Sequence, residues 1–156
     1  MNSSRLILLT GLVIVGICAC TSNESKEGQH EGVIFGKIEL SDGWVRPATK
    51  GGMSAAYLTI SNGTVSRDTL MNISSSAAAK AELHESYKGE NGIMAMRPVS
   101  QPVIPSGEKL HMSPGRFHIM LQDLNRNLSV GDSVDITLTY SRVDTQSIRL
   151  PVKSQP

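Results

Sequence analysis

The chain has 156 residues, with 15 Lys and Arg against 14 Asp and Glu, so its formal net charge is +1. This length makes one ordinary domain, with little left for a second. The balanced charge, the lack of a basic run and the 4% aromatic content argue against nucleic-acid binding, which needs phosphate-neutralising or base-stacking side chains. With 39% hydrophobic and 19% charged residues, the composition is typical of a small folded domain and not of a disordered or multi-span membrane protein.

Residues 1–19 have the pattern of a secretory signal peptide. Arg5 is their only charge, and it precedes an apolar stretch from Leu6 to Ala19. This stretch is shorter than the about 20 apolar residues of a comfortable transmembrane helix, so a retained membrane anchor is the less favoured alternative.

The end of this segment carries a candidate lipidation site. Ile17-Cys18-Ala19-Cys20 resembles a bacterial lipoprotein box, in which the cysteine after a small residue is lipidated. Ala19 favours Cys20, since Cys18 follows the bulkier Ile17. Several acyl chains on one cysteine would give the multiple anchors that stable membrane attachment requires. We therefore predict an exported lipoprotein on the periplasmic side, with the choice between inner and outer membrane left open.

Residues 20–32 are interpreted as the lipidated cysteine and a flexible tether. The tether is polar, has no apolar period, and contains His30 as a solvated linker residue. Both cysteines lie at or before the predicted cleavage site, so the mature protein would have no free thiol. This excludes thiol redox chemistry and thiolate metal sites from the predicted domain at residues 33–153.

From Val33 onward, apolar residues recur with a period of two, which indicates strands with one face in a core. Turn signals such as Ser61-Asn62-Gly63 and Ser113-Pro114-Gly115 separate the strands. Many short strands at this spacing predict an all-β antiparallel sandwich or barrel. The alternating inward positions are, in chain order, Ile34, Ile38, Leu40, then Val134, Ile136, Leu138, Tyr140, then Ile148, Leu150 and Val152.

One alanine-rich segment departs from this pattern. Ser74–Glu85 would be helical on propensity alone. We predict a short helix or turn at Ser75–Ala79, followed by a strand around Glu82–Ser86.

Histidines and methionines occur at outward strand positions. Between Phe117 and Leu121, alternation places the apolar residues on one face and directs His118 and Met120 to the other. The same parity puts Met94 and Met96 together, and turns His84 away from the inward Leu83.

These side chains are soft, neutral donors. A thioether cannot be protonated in water, and imidazole is a donor above a pKa of about 6.5. Together they suit Cu(I) better than zinc, calcium or magnesium. The alternative is that the methionines fill the core, which is their commoner role.

These residues and their spacing resemble those of the PCu(A)C periplasmic copper chaperones, and the resemblance covers roughly Ile38 to Val152. The family's copper motif is a His, about ten residues, a Met, twenty-one residues, then His-x-Met. Here His84, Met96, His118 and Met120 fit it, with twenty-one residues between Met96 and His118. The resemblance also runs through Gly43-Trp44-Val45-Arg46, Ala56-Tyr57-Leu58-Thr59-Ile60, Asn62, Asp68, Leu70, Leu83-His84-Glu85, Gly92 to Val99, Pro114-Gly115 and Gly131-Asp132.

The resemblance implies a cupredoxin-like antiparallel β-sandwich with Greek-key connections, and one Cu(I) bound by these four residues. It further implies delivery of copper to the Cu(A) centre of a terminal cytochrome oxidase, alongside a Sco-type thiol protein. A copper-buffering lipoprotein without a delivery role is the alternative. No catalytic motif is present, so we predict that the protein is not an enzyme. The acceptor, the affinity, Cu(II) binding and the oligomeric state stay open.

Two features depart from the family pattern. Eleven residues separate His84 from Met96, and the extra one is expected in the loop Lys88–Gly92, whose glycines tolerate insertion. Met94 is the rival ligand, but it would break the spacing to His118. Arg116 replaces a glycine that the family often has, which puts a cation near the site.

Four further residues are weaker candidates for metal contacts: His111, Met112, Met94 and Met53. His111 and Met112 would be secondary contacts, although packing of Met112 and solvation of His111 are favoured, and Met53 is a similar candidate.

Trp44 is expected to be a core aromatic, with Arg46 covering polar backbone. Asp68 is expected to be a structural turn residue.

Overall fold

The computed structural model describes residues 36–154. The predicted leader, Cys20, the tether with His30, and residues 33–35 of the predicted domain lie outside the described residues. Ten β-strands and one turn of 3-10 helix at Glu90–Gly92 make up the regular structure of the described part. The strands are β1 (Ile38–Val45), β2 (Ser54–Asn62), β3 (Asp68–Ser75), β4 (Ala78–Lys88), β5 (Met94–Pro98), β6 (Val103–Ile104), β7 (Lys109–His111), β8 (Phe117–Leu124), β9 (Ser133–Tyr140) and β10 (Gln146–Pro151).

The strands form two antiparallel sheets. The first has the order β1-β2-β8-β4-β5, and β7 also pairs with β2; the second has the order β10-β9-β3-β6. Because neighbours in each sheet are mostly not consecutive in the chain, the chain passes repeatedly from one sheet to the other. The predicted all-β antiparallel sandwich is confirmed.

The main core lies between the sheets and is almost wholly aliphatic. In β9, Val134, Ile136 and Leu138 are at most 1% exposed, as their alternation predicts. They belong to one buried cluster with Leu58 and Ile60 of β2. Each such side chain contributes roughly 1.5–3 kcal/mol to the free energy of unfolding, so this face of the first sheet is fixed by packing.

The alanine-rich segment forms a turn and a strand. The chain turns at residues 76–77, and β4 then runs from Ala78 to Lys88, longer than the predicted strand at 82–86. The helix alternative at Ser75–Ala79 is wrong. β4 pairs with β8 along one edge and with β5 along the other, and these backbone hydrogen bonds outweigh the helix propensity of alanine.

Asp68 joins the start of β3 to the turn after β9. Its side chain is 1% exposed. Oδ1 accepts hydrogen bonds from the amides of Thr69 (2.7 Å), Ser141 (3.1 Å) and Arg142 (3.1 Å) and from the Ser141 hydroxyl (2.7 Å), and Oδ2 accepts one from the Val143 amide (3.0 Å). Burial acts to raise the pKa of Asp68, but these hydrogen bonds outweigh it and lower the pKa. The prediction of a structural turn residue is confirmed.

Within residues 36–154, no helix is long and apolar enough to cross a membrane.

Candidate metal centre

The first sheet has a second face, directed away from the main core. Register shows which residues share it, because cross-strand partners point to the same side of a sheet. Met120 of β8 is opposite Ala55 of β2 on one side and opposite Glu82 of β4 on the other. We call this surface the outer face.

All four residues of the predicted copper motif lie on the outer face. His84 is directly opposite His118 across the β4–β8 pair, and the centroids of the two rings are 6.0 Å apart. Met120 is two residues beyond His118 on the same strand. Met96 of β5 is opposite Ser86, which is two residues beyond His84. The topology thus brings residues from three adjacent strands to one region.

Three of the four line a cavity of about 390 Å³, which is partly open to solvent. Met96, His118 and Met120 contribute to its wall. His84 does not line the cavity, but it is directly opposite His118, which does. Met53 also lines the cavity, and Arg46 is the one charged residue in its wall among the described residues. We call this space the outer cavity.

His118 is held as a neutral ligand with one nitrogen free. Its side chain is 4% exposed. Nδ1 is 3.1 Å from the Arg116 carbonyl oxygen, which can only accept a hydrogen bond, so Nδ1 carries the proton and Nε2 keeps its lone pair. Burial lowers the pKa of His118, the hydrogen bond to Arg116 acts against this, and the nearby His84 lowers it further. A ring in this state can bind a metal at neutral pH without releasing a proton.

His84 has no hydrogen-bond partner at either ring nitrogen, and both nitrogens are buried. The nearest charged oxygen, Oε2 of Glu82, is 3.6 Å from Nε2, which is too far for a good hydrogen bond. An unpartnered buried polar group costs about 1–3 kcal/mol of stability. A metal ion bound to one nitrogen would remove part of this cost, so the donor set fits a soft cation.

Glu82 is occupied by other partners. Its carboxylate pairs with Lys80 at 2.9 Å and accepts a hydrogen bond from the Gln122 amide at 3.1 Å. The hydrogen bond and charge of Lys80 lower the pKa of Glu82, assisted by His84. Glu82 therefore supplies a negative charge beside His84 without lining the outer cavity.

Aromatic side chains support the histidines from the β1–β2 side. Trp44 and Tyr57 stack with ring centroids 4.7 Å apart, and the Tyr57 ring is 6.4 Å from that of His118. Together with Ala55 they form a small buried cluster separate from the main core. The prediction that Trp44 is a core aromatic needs this correction: it is buried, but on the outer face. Tyr57, which the sequence pattern did not assign to the site, thus lies beside His118.

The remaining candidate residues differ in placement. Met94 is on β5 at 58% exposure and does not line the outer cavity. His111 is exposed on β7, and its Nδ1 is 2.9 Å from the Thr59 hydroxyl. Met112 is 2% exposed within the main core, so its sulfur is surrounded by aliphatic side chains. We therefore remove Met112 from the candidate ligands.

The chain between His84 and Met96 reverses direction at residues 89–93, in the β4–β5 turn where the extra residue is expected. This turn contains the 3-10 segment, with Asn91 at φ 60° and Gly92 at φ 77°. Both φ values are in the left-handed region that glycine and asparagine tolerate. The pairing of Ser86 with Met96 is regular on the strand side of the turn, so Met96 keeps the same face as His84.

Hard-metal chemistry has no comparable centre in the described range. No three His, Cys, Asp or Glu side chains of residues 36–154 converge in a metal-binding arrangement. The outer cavity instead combines imidazole with thioether, which is the donor set that favours monovalent copper.

The sequence matches the LpqE-like lipoprotein family across residues 38–152. The chain belongs to this family. A protein of Leifsonia xyli subsp. xyli, named as a lipoprotein, is 30% identical over 155 residues, which are 97% of this chain and 92% of that protein. An uncharacterized protein of Rickettsia prowazekii is 34% identical over 110 residues, which are 67% of this chain and 60% of that protein.

Solved structures share the architecture of this LpqE-like chain. The copper-bound PCuAC domain from PmoF2 superposes with a TM-score of 0.63 at 20% identity, covering 78% of this chain and 96% of that domain. The solution structure of CuI-DR1885 from Deinococcus radiodurans gives 0.53 at 26% identity, covering 73% and 78%. The cupredoxin-like β-sandwich and the resemblance to PCu(A)C chaperones are confirmed.

Proposed function

We propose that this protein is a copper chaperone that binds one Cu(I) through His84, Met96, His118 and Met120. The observation that carries the proposal is the pair of facing imidazoles. One has both nitrogens buried and unpartnered, and the other is fixed with Nε2 free. Two thioethers are on the same face of the sheet, and both line the outer cavity.

Neutral donors suit a protein that must both take up and release its metal. Since neither a thioether nor a neutral imidazole has to lose a proton, binding and release do not depend on proton transfer. Cu(I) has a filled d shell and imposes little geometry, so three or four soft donors suffice. Met96 is 56% exposed, which leaves one side of the ion open to an incoming ligand.

Relatives support the nature of the cargo. Of the similar solved structures, the PCuAC domain from PmoF2 is copper-bound, and that of DR1885 contains Cu(I). Family membership and the lipoprotein name of the Leifsonia relative support the proposal that Cys20 is lipidated. In this view residues 1–19 are removed on export, residues 20–32 tether the domain, and the copper site is on the periplasmic side of the membrane. We propose no catalytic role.

The direct test of the site is Met120→Ile. Loss of the thioether should weaken Cu(I) binding by about 30-fold or more, equivalent to about 2 kcal/mol, since aliphatic carbon cannot coordinate copper. The melting temperature of the apo protein should stay within a few degrees, because Met120 is only partly buried. Affinity is measured by competition with a chromogenic Cu(I) chelator, and sulfur ligation by X-ray absorption.

Met71→Ile is the matched control, since Met71 is 44% exposed on β3 in the other sheet. It should bind Cu(I) like the natural protein. If Met120→Ile instead leaves affinity unchanged and unfolds the domain, Met120 is a packing residue and the site is wrongly assigned.

We further propose that the acceptor is the Cu(A) centre of a terminal cytochrome oxidase, reached alongside a Sco-type thiol protein. The resemblance to PCu(A)C chaperones supports this choice, and the same site would also serve copper buffering. Deleting the gene distinguishes the two. Loss of oxidase activity that added copper restores indicates delivery, whereas copper sensitivity with normal respiration indicates buffering.

A further inference from the structure

Met53 is a thioether at the outer cavity that the four-residue motif does not include. It immediately precedes β2, so alternation gives it the parity of Ala55 and Tyr57 on the outer face. Ala55 is directly opposite Met120, which makes Met53 a diagonal neighbour of Met120. Diagonal positions are about 7–8 Å apart, within reach of long side chains. Met53 in fact lines the outer cavity together with Met96 and Met120.

Backbone hydrogen bonds hold the segment before Met53, whereas the Met53 side chain is mostly exposed. The Gly51 amide donates to the Leu124 carbonyl at 2.7 Å, and the Leu124 amide donates to the Gly52 carbonyl at 3.1 Å. Gly51 has a φ of 74°, which a residue with a side chain adopts only with strain. The side chain of Met53 is 66% exposed and has three rotatable bonds. Rotation about these bonds therefore lets the Met53 sulfur reach several positions where the outer cavity opens to solvent, while the backbone stays in place.

Packing does not explain this methionine. A side chain that is two-thirds exposed adds little to the core, because it removes little apolar area from water. The four candidate donors of the cavity wall follow a gradient of exposure: Met53 at 66% and Met96 at 56%, then the partly buried Met120, then His118 at 4%. The cavity of about 390 Å³ is far larger than a single ion, so it has room for an ion to change partners.

We propose that Met53 is an additional Cu(I) contact at the mouth of the cavity, which receives the ion and hands it to the inner ligands. The inference rests on the proposed Cu(I) site. On entry, a bond forms between copper and the Met53 sulfur while a bond to the donor molecule breaks. Bonds to Met120 and His118 then form as the Met53 bond breaks. Copper stays Cu(I) throughout, every protein ligand is neutral, and no proton or electron is transferred; release is the reverse.

The test compares Met53→Leu with Met71→Leu in the purified full-length chain. Leucine keeps the volume and apolar character of methionine but removes the sulfur. Release of Cu(I) to a chromogenic chelator is followed by stopped flow, and affinity by equilibrium competition. For Met53→Leu we expect uptake and release about tenfold slower, as a barrier higher by about 1.4 kcal/mol gives. Equilibrium affinity should fall at most about threefold, since the four inner ligands are intact.

A second measurement follows the methyl carbons of ¹³C-labelled methionines during titration with Cu(I). The Met53 methyl signal should shift or broaden within the first equivalent, whereas that of Met71 should not move. An unmoved Met53 signal, or equal exchange rates in the two variants, overturns this inference while leaving the proposed function standing. If the natural chain takes up no Cu(I) at all, the proposed function fails, and this inference fails with it.

Discussion

Asp68 and His84 both have buried polar atoms, but they differ in the hydrogen bonds that these atoms make. Asp68 accepts five hydrogen bonds, four from the turn after β9 and one from the amide of Thr69 in β3. His84 has two buried nitrogens and no hydrogen bond. Burial of a polar group costs free energy unless partners compensate. The first residue is therefore compensated within the fold, and the second is left for a partner from outside.

The contrast separates two kinds of polar residue that resemble each other in a sequence. A residue like Asp68 should control stability and have no effect on metal binding. A residue like His84 should control metal binding and be dispensable, or even unfavourable, for stability. Variants at the two positions test this separation directly.

The largest expected effect is on stability, in Asp68→Ala. Five hydrogen-bond donors would lose a charged acceptor, and we expect a loss of about 4 kcal/mol in the free energy of unfolding. Urea unfolding followed by fluorescence of Trp44 measures it. Asp144→Ala, an exposed aspartate in the same turn region, is the control and should be near neutral. Normal Cu(I) affinity of the folded Asp68→Ala protein would complete the separation, and loss of affinity without loss of stability would contradict it.

The same residue predicts an acid dependence. Because the pKa of Asp68 is lowered in the folded protein, its contribution to stability is fully present above the unfolded value of about 3.9. It is lost as pH falls through the lower folded value, where the folded state must also take up the proton. The stability of Asp68→Ala should therefore fall less steeply below about pH 4.

The next effect is on copper, in His84→Leu. Removing one imidazole ligand should weaken Cu(I) binding by about 50-fold, or about 2.3 kcal/mol. Apo stability should be unchanged or higher, since two unpartnered nitrogens are replaced by an apolar group. Chelator competition and thermal unfolding measure the two quantities. His111→Leu is the control. His111 is on the same face of the sheet, but unlike His84 it already has a hydrogen-bond partner, the Thr59 hydroxyl. A destabilised His84→Leu protein with unchanged affinity would reverse the contrast.

The smallest effect is a shift in titration at His118. Burial lowers its pKa from the ordinary value of 6.5. In the apo protein, the His118 ring signals should titrate with a midpoint below 6.5 in two-dimensional NMR. Between 6.5 and that lower midpoint the unfolded chain binds more protons at this residue than the folded one, so the contribution of His118 to stability declines as pH falls through this range. A midpoint at or above 6.5 would show that the ring is solvated and not held neutral by its surroundings.

The fold was most predictable in its longer strands with regular alternation, such as β8 and β9. Alternation in β9 placed Val134, Ile136 and Leu138 inside, and alternation in β8 put His118 and Met120 on the face opposite Ile119. In these strands successive side chains point to opposite faces because the backbone is extended. The face of each residue can therefore be predicted from its neighbours in the sequence alone.

Other features depended on distant contacts. β2 is buried on both faces, so alternation alone did not show that Tyr57 belongs to the outer face. Met112 follows the three-residue strand β7, which is too short to give a dependable parity, and it packs in the core. Alanine propensity suggested a helix at Ser75–Ala79, but pairing with β8 decided the outcome.

The hydrogen bond that fixes the ring of His118 has its acceptor in the main chain, at the carbonyl of Arg116. Any amino acid at position 116 supplies the same oxygen. The charge of the side chain at position 116 can therefore change while the neighbouring imidazole keeps the same tautomer.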